Sequence, residues 1–137
     1  MQVKEVMTKD VACIEPKTTI AEAAKIMQSR DVGALPVAKK DGLIGIVTDR
    51  DICCRAIAQN LDPESATVDE IMSKSVATCF EDQELAEAAH IMEQKQIRRL
   101  PVLSRKSKLV GIMTVGDISQ HAGRALTGEV EEQITRH

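Results

Sequence analysis

The sequence has 137 residues, of which 43% are hydrophobic and 28% charged, a composition typical of a globular rather than a disordered chain. Its net charge of −3 argues against DNA as a partner, because phosphate binding needs a basic face, and its single aromatic residue, Phe80, argues against a stacking platform for nucleic-acid bases. No apolar run is long enough for a membrane span and no signal-peptide pattern is visible, so we expect a cytoplasmic protein with no nucleic-acid and no membrane partner.

The chain contains two copies of one sequence pattern. In each copy the pattern predicts the same elements in the same order. A short starting helix is followed by a strand, Val11 to Ile14 in the first copy and Val76 to Cys79 in the second. A helix with apolar residues at i, i+3, i+4 and i+7 comes next, and Thr19-x-x-Glu22 is typical of a capping box at its start. The apolar positions are Ile20, Ala23, Ala24 and Met27, and in the second copy Leu85, Ala88, Ala89 and Met92.

Two further strands and a closing helix complete each copy. The strands of the first copy run from Ala34 to Lys39 and from Leu43 to Val47, with a turn containing Asp41-Gly42 between them. Those of the second copy run from Leu100 to Leu103 and from Leu109 to Met113. The closing helices are predicted to begin near Asp49 and Val115.

The repetition itself is the main signal of the sequence. Four blocks recur in order: Val3 to Lys9 as Val68 to Lys74, Ala21 to Met27 as Ala86 to Met92, Leu35-Pro36-Val37 as Leu100-Pro101-Val102, and Leu43 to Asp51 as Leu109 to Asp117. We place the first repeat at residues 1–60, a linker at 61–67, the second repeat at 68–126 and a polar tail at 127–137. The fold class predicted is α/β, with two β-α-β-β-α repeats packed about a pseudo-twofold axis and two equivalent clefts at their junction.

One motif stands where the last strand of each copy ends and the closing helix begins. It is Gly-Ile-x-Thr-x-x-Asp, with Thr48 and Asp51 in the first copy and Thr114 and Asp117 in the second. A helix start favours phosphate, the threonine hydroxyl can donate to phosphate, and a carboxylate can accept hydrogen bonds from a ribose diol. A plain helix cap explains the same residues, and the two interpretations stay open because one side chain can do both.

The second candidate is the pair Arg98-Arg99, which precedes the strand at Leu100. Two neighbouring arginines could bind a phosphate group through their guanidinium groups. The alternative is that they are solvent-exposed residues at the start of the strand and bind nothing. The first copy has Gly33-Ala34 at this place, so the two copies differ in charge.

The cysteines and histidines do not form a metal-binding pattern. The four cysteines contain no C-x-x-C pair and the three histidines form no cluster, so we predict no metal site and no required cofactor. Cys53 and Cys54 are adjacent in a predicted helix, and we interpret them as small core residues, with a redox or ligand role as the alternative.

These motifs, in order and twice, resemble those of the cystathionine-β-synthase (CBS) domain family, in which a tandem pair is called a Bateman module. The resemblance rests on the Val-x-x-x-Met starts, the two Leu-Pro-Val segments and the two Gly-Ile-x-Thr-x-x-Asp segments, and it covers about residues 1–126. It implies the CBS fold and two clefts for adenosine-containing ligands such as AMP, ADP, ATP, NAD or S-adenosylmethionine.

The resemblance also implies a role for each candidate residue. Asp51 and Asp117 would hold the ribose, Thr48 and Thr114 the phosphate side, and Arg98 and Arg99 the phosphate. Backbone at Ala34 to Pro36 and at Arg99 to Pro101 would meet the adenine edge, and Val11 to Ile14 and Val76 to Cys79 would line its faces.

The second motif departs from the first, because Val115-Gly116 replaces Asp49-Arg50 and the extra arginine is lost. We therefore expect the cleft of Thr48, Arg50 and Asp51, completed by Arg98 or Arg99, to bind more tightly than the cleft of Thr114 and Asp117.

The sequence thus predicts a regulatory module that senses an adenine nucleotide and has no catalytic activity. By resemblance we expect a homodimer, acting through a regulated protein that the sequence does not identify. An interaction or assembly module with empty clefts is the main alternative. An enzyme or redox protein is a third, supported only by the adjacent cysteines and the possible nucleotide site.

Overall fold

The computed structural model describes residues 1–40 and 42–121, and the predicted polar tail at 127–137 lies outside this part of the chain. Its elements in chain order are α1 (Ile20–Arg30), β1 (Ala34–Lys39), β2 (Gly42–Thr48), α2 (Asp49–Asp51), β3 (Cys79–Phe80), α3 (Leu85–Lys95), β4 (Arg99–Leu103), β5 (Leu109–Thr114) and α4 (Val115–His121). Short 3-10 helices at Val3–Glu5 and Val68–Glu70 open the two repeats, and a π-helix, Ile52–Ile57, extends α2. The predicted α/β class is confirmed, and so is the order helix, strand, strand, helix within each copy.

The chain divides into two units. We call residues 1–11 and 68–76 the starting segments of the two repeats, and each unit contains the starting segment of the other repeat. The α1 unit consists of Ala12–Val76, and the α3 unit joins Met1–Val11 to the chain from residue 77 onward. In the α3 unit the Val3 amide donates to the carbonyl of Gln83 at 2.9 Å. In the α1 unit the Val68 amide donates to the carbonyl of Thr18 at 2.9 Å. The packing units therefore differ from the predicted boundaries at 1–60 and 68–126, which follow the repeat along the sequence.

The two units contain equivalent sheets. In the α1 unit, β1 and β2 are antiparallel, and Ile14 forms a parallel bridge with Val37 beside them. In the α3 unit, β3 is parallel to β4, which is antiparallel to β5. Both long-strand pairs carry an irregularity in register, after Val37 and after Val102.

The first strand of each copy is shorter than predicted. Val11 and Ala12 lie on either side of the division between the units, so the predicted strand from Val11 to Ile14 is reduced to the bridge at Ile14. In the second copy pairing begins only at Cys79 and forms the two-residue strand β3. A chain that passes from one packing unit to the next cannot follow the edge of one sheet over its whole length.

Local signals explain where α1 begins and ends. The Thr19 hydroxyl accepts a hydrogen bond from the Glu22 amide at 3.2 Å, and the Glu22 carboxylate accepts one from the Thr19 amide at 3.2 Å, as the predicted capping box requires. The helix ends at Arg30 and is capped by Asp31, which has a left-handed φ of 53°. The α3 stripe is buried as predicted, whereas Ala24 on α1 lies at the margin of the stripe and is exposed.

Each unit has its own apolar core, and the exchanged segments contribute to both. Val3 and Val6 are buried in the α3 unit with Leu100 and Met92. In the core of the α1 unit, the exchanged residues Val68, Ile71 and Met72 are buried with Leu35 and Val37. Among the described residues, no helix combines the length and the apolarity that crossing a bilayer would require.

The glycine of each Gly-Ile-x-Thr-x-x-Asp motif allows the starting segment to approach the sheet closely. The Ser73 amide donates to the carbonyl of Ile46 at 2.9 Å, and a Cβ on Gly45 would lie 2.8 Å from the Ser73 carbonyl oxygen. In the α3 unit a Cβ on Gly111 would lie 2.8 Å from the carbonyl oxygen of Thr8. These glycines therefore serve the packing of the exchanged segments.

Gly45→Ala should lower the free energy of unfolding by about 1–3 kcal/mol, because the added methyl group overpacks against backbone that is hydrogen-bonded in place. Urea denaturation measures this loss. Gly116→Ala is the matched control, since its Cβ would make an ordinary van der Waals contact with the Thr114 hydroxyl at 3.6 Å, and alanine favours a helix. Equal stability of Gly45→Ala and the wild type would show that the contact between Gly45 and the Ser73 backbone leaves room for a methyl group.

Candidate functional site

The first motif closes into a hydrogen-bonded box between the end of β2 and the start of α2. The Asp51 carboxylate accepts from the Thr48 amide at 2.9 Å through Oδ2, and the Thr48 hydroxyl accepts from the Asp51 amide at 3.1 Å. The other carboxylate oxygen, Oδ1, lies 3.8 Å from Nε of Arg55, one helical turn away. Asp51 is 9% exposed, the only charged residue in the buried class within the described chain.

The second motif forms the same box and adds one further contact. The Asp117 carboxylate accepts from the Thr114 amide at 3.1 Å, and the Thr114 hydroxyl accepts from the Asp117 amide at 3.0 Å. The hydroxyl of Thr8 lies 2.9 Å from Oδ1 and 3.0 Å from Oδ2 of Asp117, so it faces both carboxylate oxygens. The two boxes are therefore alike in backbone geometry and different in what their carboxylates meet.

Sheet pairing brings most of the other predicted residues of the α1 unit to this box. Ala34 is opposite Thr48 in the β1–β2 register, and the Asp49 amide donates to the carbonyl of Gly33 at 2.9 Å. The Pro36 carbonyl accepts from the Ile14 amide at 3.0 Å. Pro36 itself is buried, and its carbonyl takes part in the bridge beside β1.

The α3 unit assembles the equivalent set from its own strands. Arg99 is opposite Thr114, Pro101 is opposite Ile112, and the Val115 amide donates to the carbonyl of Arg98 at 3.3 Å. Both arginine side chains are exposed, whereas Pro101 is buried. Two cationic side chains thus reach solvent beside the Thr114–Asp117 box.

Val11 and Arg50 are placed differently from the other predicted site residues. Val11 belongs to the α3 unit and Ile14 to the α1 unit, so the structure does not bring these two residues together in one strand. Arg50 is exposed in the first turn of α2, where its amide donates to the carboxylate of Asp49 at 2.8 Å.

Sequence reasoning missed Thr8 and Arg55. A signal for Thr8 was present, because Met7-Thr8 and Met72-Ser73 place a hydroxyl after the same methionine in both copies. Arg55 follows Asp51 at the i, i+4 spacing of a helical ion pair.

Three of the four cysteines are exposed and one is buried. Cys53 and Cys54 are exposed on the π-helix, so their interpretation as core residues is wrong, and Cys79 is the buried one. Burial raises the pKa of the Cys79 thiol to about 11 and so suppresses its thiolate. No three His, Cys, Asp or Glu side chains converge on a possible metal position within the described residues.

Comparison with known proteins decides the family. The model of the CBS domain matches residues 3–55 and again residues 68–123. The chain belongs to the CBS domain family. This match confirms the resemblance seen in the motifs and shows that the repeat is a pair of CBS domains.

Several individual proteins are similar to this CBS pair over most of its length. CBS domain-containing protein YhcV of Bacillus subtilis is 40% identical over 138 residues, which cover 96% of this chain and 97% of that protein. The crystal structure of Hypoxic Response Protein I with two coordinated zinc ions has a TM-score of 0.82 and 35% identity, covering 90% of this chain and 100% of that one.

A third similar protein has been solved with ligands. The CBS domain pair of protein MJ0100, in complex with 5-methylthioadenosine and S-adenosyl-L-methionine, has a TM-score of 0.76 and 33% identity to this chain. The alignment covers 94% of this chain and 98% of that one. CBS pairs therefore include a protein that binds adenosine-containing molecules.

Proposed function

We propose that this CBS pair is a regulatory module that binds an adenosine-containing ligand and carries out no chemical reaction on it. The observation that supports it most is the Thr–Asp box, present with the same geometry in both units of a chain similar to a pair solved with two adenosine derivatives. A carboxylate held at one oxygen by a backbone amide keeps acceptor capacity for a ribose diol.

The roles follow the chemistry of each group. Asp51 and Asp117 accept hydrogen bonds from the ribose hydroxyls. The exposed guanidinium groups of Arg98 and Arg99 suit a phosphate, because their planar donors can engage two oxygens at once. Thr48 and Thr114 face the phosphate side.

The two sites are proposed to be unequal, with the Asp51 site the tighter. In the Asp51 box, Nε of Arg55 lies 3.8 Å from Oδ1, which is beyond the distance of a hydrogen bond. In the Asp117 box the Thr8 hydroxyl meets both carboxylate oxygens. The homodimer, the regulated protein and the cytoplasmic location stay predictions of the sequence. The sequence predicts an adenosine-containing ligand without choosing among AMP, ADP, ATP, NAD and S-adenosylmethionine.

One observation favours the alternative of an interaction module with empty sites. Both Thr–Asp pairs form complete capping boxes, so helix capping alone accounts for their backbone hydrogen bonds. The two functions differ in whether an adenosine ligand stabilises the protein.

A ligand panel on the wild type tests the proposal. AMP, ADP, ATP, NAD and S-adenosylmethionine are titrated by calorimetry with a thermal-shift companion, and 2′-deoxy-AMP serves as the matched control for AMP. A ligand at 100 times its Kd should add about 2.7 kcal/mol of stability, a shift of several degrees, and 2′-deoxy-AMP should bind more weakly because it lacks one ribose donor. No binding by any of them at millimolar concentration would reject the proposal in favour of the interaction module.

A further inference from the structure

The Thr8 hydroxyl occupies the position on Asp117 that a ribose diol would need. Its oxygen lies 2.9 Å and 3.0 Å from the two carboxylate oxygens, so it sits in the fork between them. Two neighbouring hydroxyl groups of a ribose would approach a carboxylate at the same fork, one hydroxyl to each oxygen. Thr8 and such a diol cannot occupy it together.

The equivalent place in the α1 unit is not occupied in this way. Ser73 follows Met72 as Thr8 follows Met7, and it makes the same backbone bridge, to Ile46. Among the described residues, however, no hydrogen bond joins the Ser73 side chain to Asp51. The Asp51 fork therefore differs from the Asp117 fork through one side chain of the starting segment.

The Thr8 hydroxyl can leave Asp117 without unpairing the backbone. The Thr8 amide donates to the carbonyl of Ile112 at 2.9 Å, and the Ile112 amide donates to the carbonyl of Thr8 at 3.0 Å. These bonds hold the main chain, and the side chain is exposed, so rotation about χ1 suffices to release the carboxylate. The cost of that release is the hydrogen bond to Asp117 itself.

We infer that Thr8 is a specificity-determining residue, an internal competitor that lowers the affinity of the Asp117 site for an adenosine ligand and makes the two sites unequal. The inference rests on the proposed function, since it takes Asp117 to be the ribose acceptor of that site. It attributes the unequal ligand affinities of the two sites to Thr8 of the starting segment, as well as to Gly116, which replaces the Arg50 of the first motif.

The test isolates the Asp117 site in an Asp51→Ala background and titrates AMP and, separately, S-adenosylmethionine by calorimetry. Thr8→Val keeps the shape of the side chain and removes the hydroxyl, and it should tighten binding about tenfold, the scale of a hydrogen bond to a charged group. Thr8→Ser keeps the hydroxyl and should bind as its parent does. The matched control, Ser73→Ala in an Asp117→Ala background, should leave the Asp51 site unchanged.

The outcomes separate the inference from the proposed function. Equal or weaker binding by Thr8→Val, or no binding at the Asp117 site in either variant while the wild type binds, would overturn the competitor role alone. No binding of either probe to the wild type would overturn the proposed function and the inference with it. If Thr8→Val fails to give a native circular-dichroism spectrum, Thr8→Ala replaces it under the same expectation.

Discussion

Asp51→Ala should weaken adenosine-ligand binding at the tighter site by about 100-fold. A hydrogen bond to a charged group contributes roughly 1.5–3 kcal/mol, and a ribose diol offers two donors to the carboxylate. The same substitution leaves the Thr48 amide without its partner, so a stability loss of about 1 kcal/mol accompanies the loss of affinity. Calorimetry at a temperature where the variant is fully folded separates the two effects.

Asp49→Ala is the matched control for this loss. Asp49 is an exposed carboxylate two residues away in the same turn, and removing it changes the local charge equally. Binding should then fall by less than about threefold, since an exposed charge interacts weakly across water. Equal losses in the two variants would mean that Asp51 acts only through net charge and not as a ribose acceptor.

Removing residues 1–8 should lower the free energy of unfolding by about 3 kcal/mol or more. The segment contributes Val3 and Val6 to the core of the α3 unit, where their exposed fractions are 0% and 2%. Burial of one valine stabilises by about 1.5–3 kcal/mol, and the bridge between Thr8 and Ile112 is lost as well. Urea denaturation of the shortened chain measures the change.

The control for the truncation retains the segment and changes only its surface. Lys4→Ala replaces an exposed side chain within residues 1–8 and should alter stability by no more than about 0.5 kcal/mol. A truncated chain with the same urea midpoint and slope as the wild type would contradict the exchange of starting segments between the units.

Features that depend on local chemistry were predictable from the sequence. A Thr-x-x-Asp spacing closes into a box wherever a strand gives way to a helix, and the structure has both boxes where the motif stands. The buried apolar stripe of α3 was also predictable, because its i, i+3, i+4, i+7 spacing determines which face of the helix is buried.

The exchange of the starting segments was not predictable, and the repeat itself is the reason. Val3 to Met7 and Val68 to Met72 present the same apolar pattern, and Gly45 and Gly111 provide the same opening in the sheet. Because both segments carry the same pattern, the pattern does not determine which sheet each segment packs against. A sequence pattern carries no information on that choice.

Unequal affinities of the two proposed sites were predicted from Arg50 and Gly116, and the inferred contribution of Thr8 could not come from sequence alone. Thr8 and Ser73 both carry hydroxyls, and only the three-dimensional placement distinguishes the one that reaches a carboxylate. The exposure of Cys53 and Cys54 was missed for a related reason, since a regular helix was expected where the chain forms a π-helix.

The most direct measurement is a calorimetric titration of the Asp51→Ala/Asp117→Ala double variant beside the wild type, using whichever ligand of the panel binds the wild type. Far-UV circular dichroism and a cooperative urea transition verify that the variant is folded. The proposed function predicts that binding to the wild type is saturable and that no heat of binding remains in the double variant. A double variant that retains the wild-type affinity would contradict the assignment of both ribose sites.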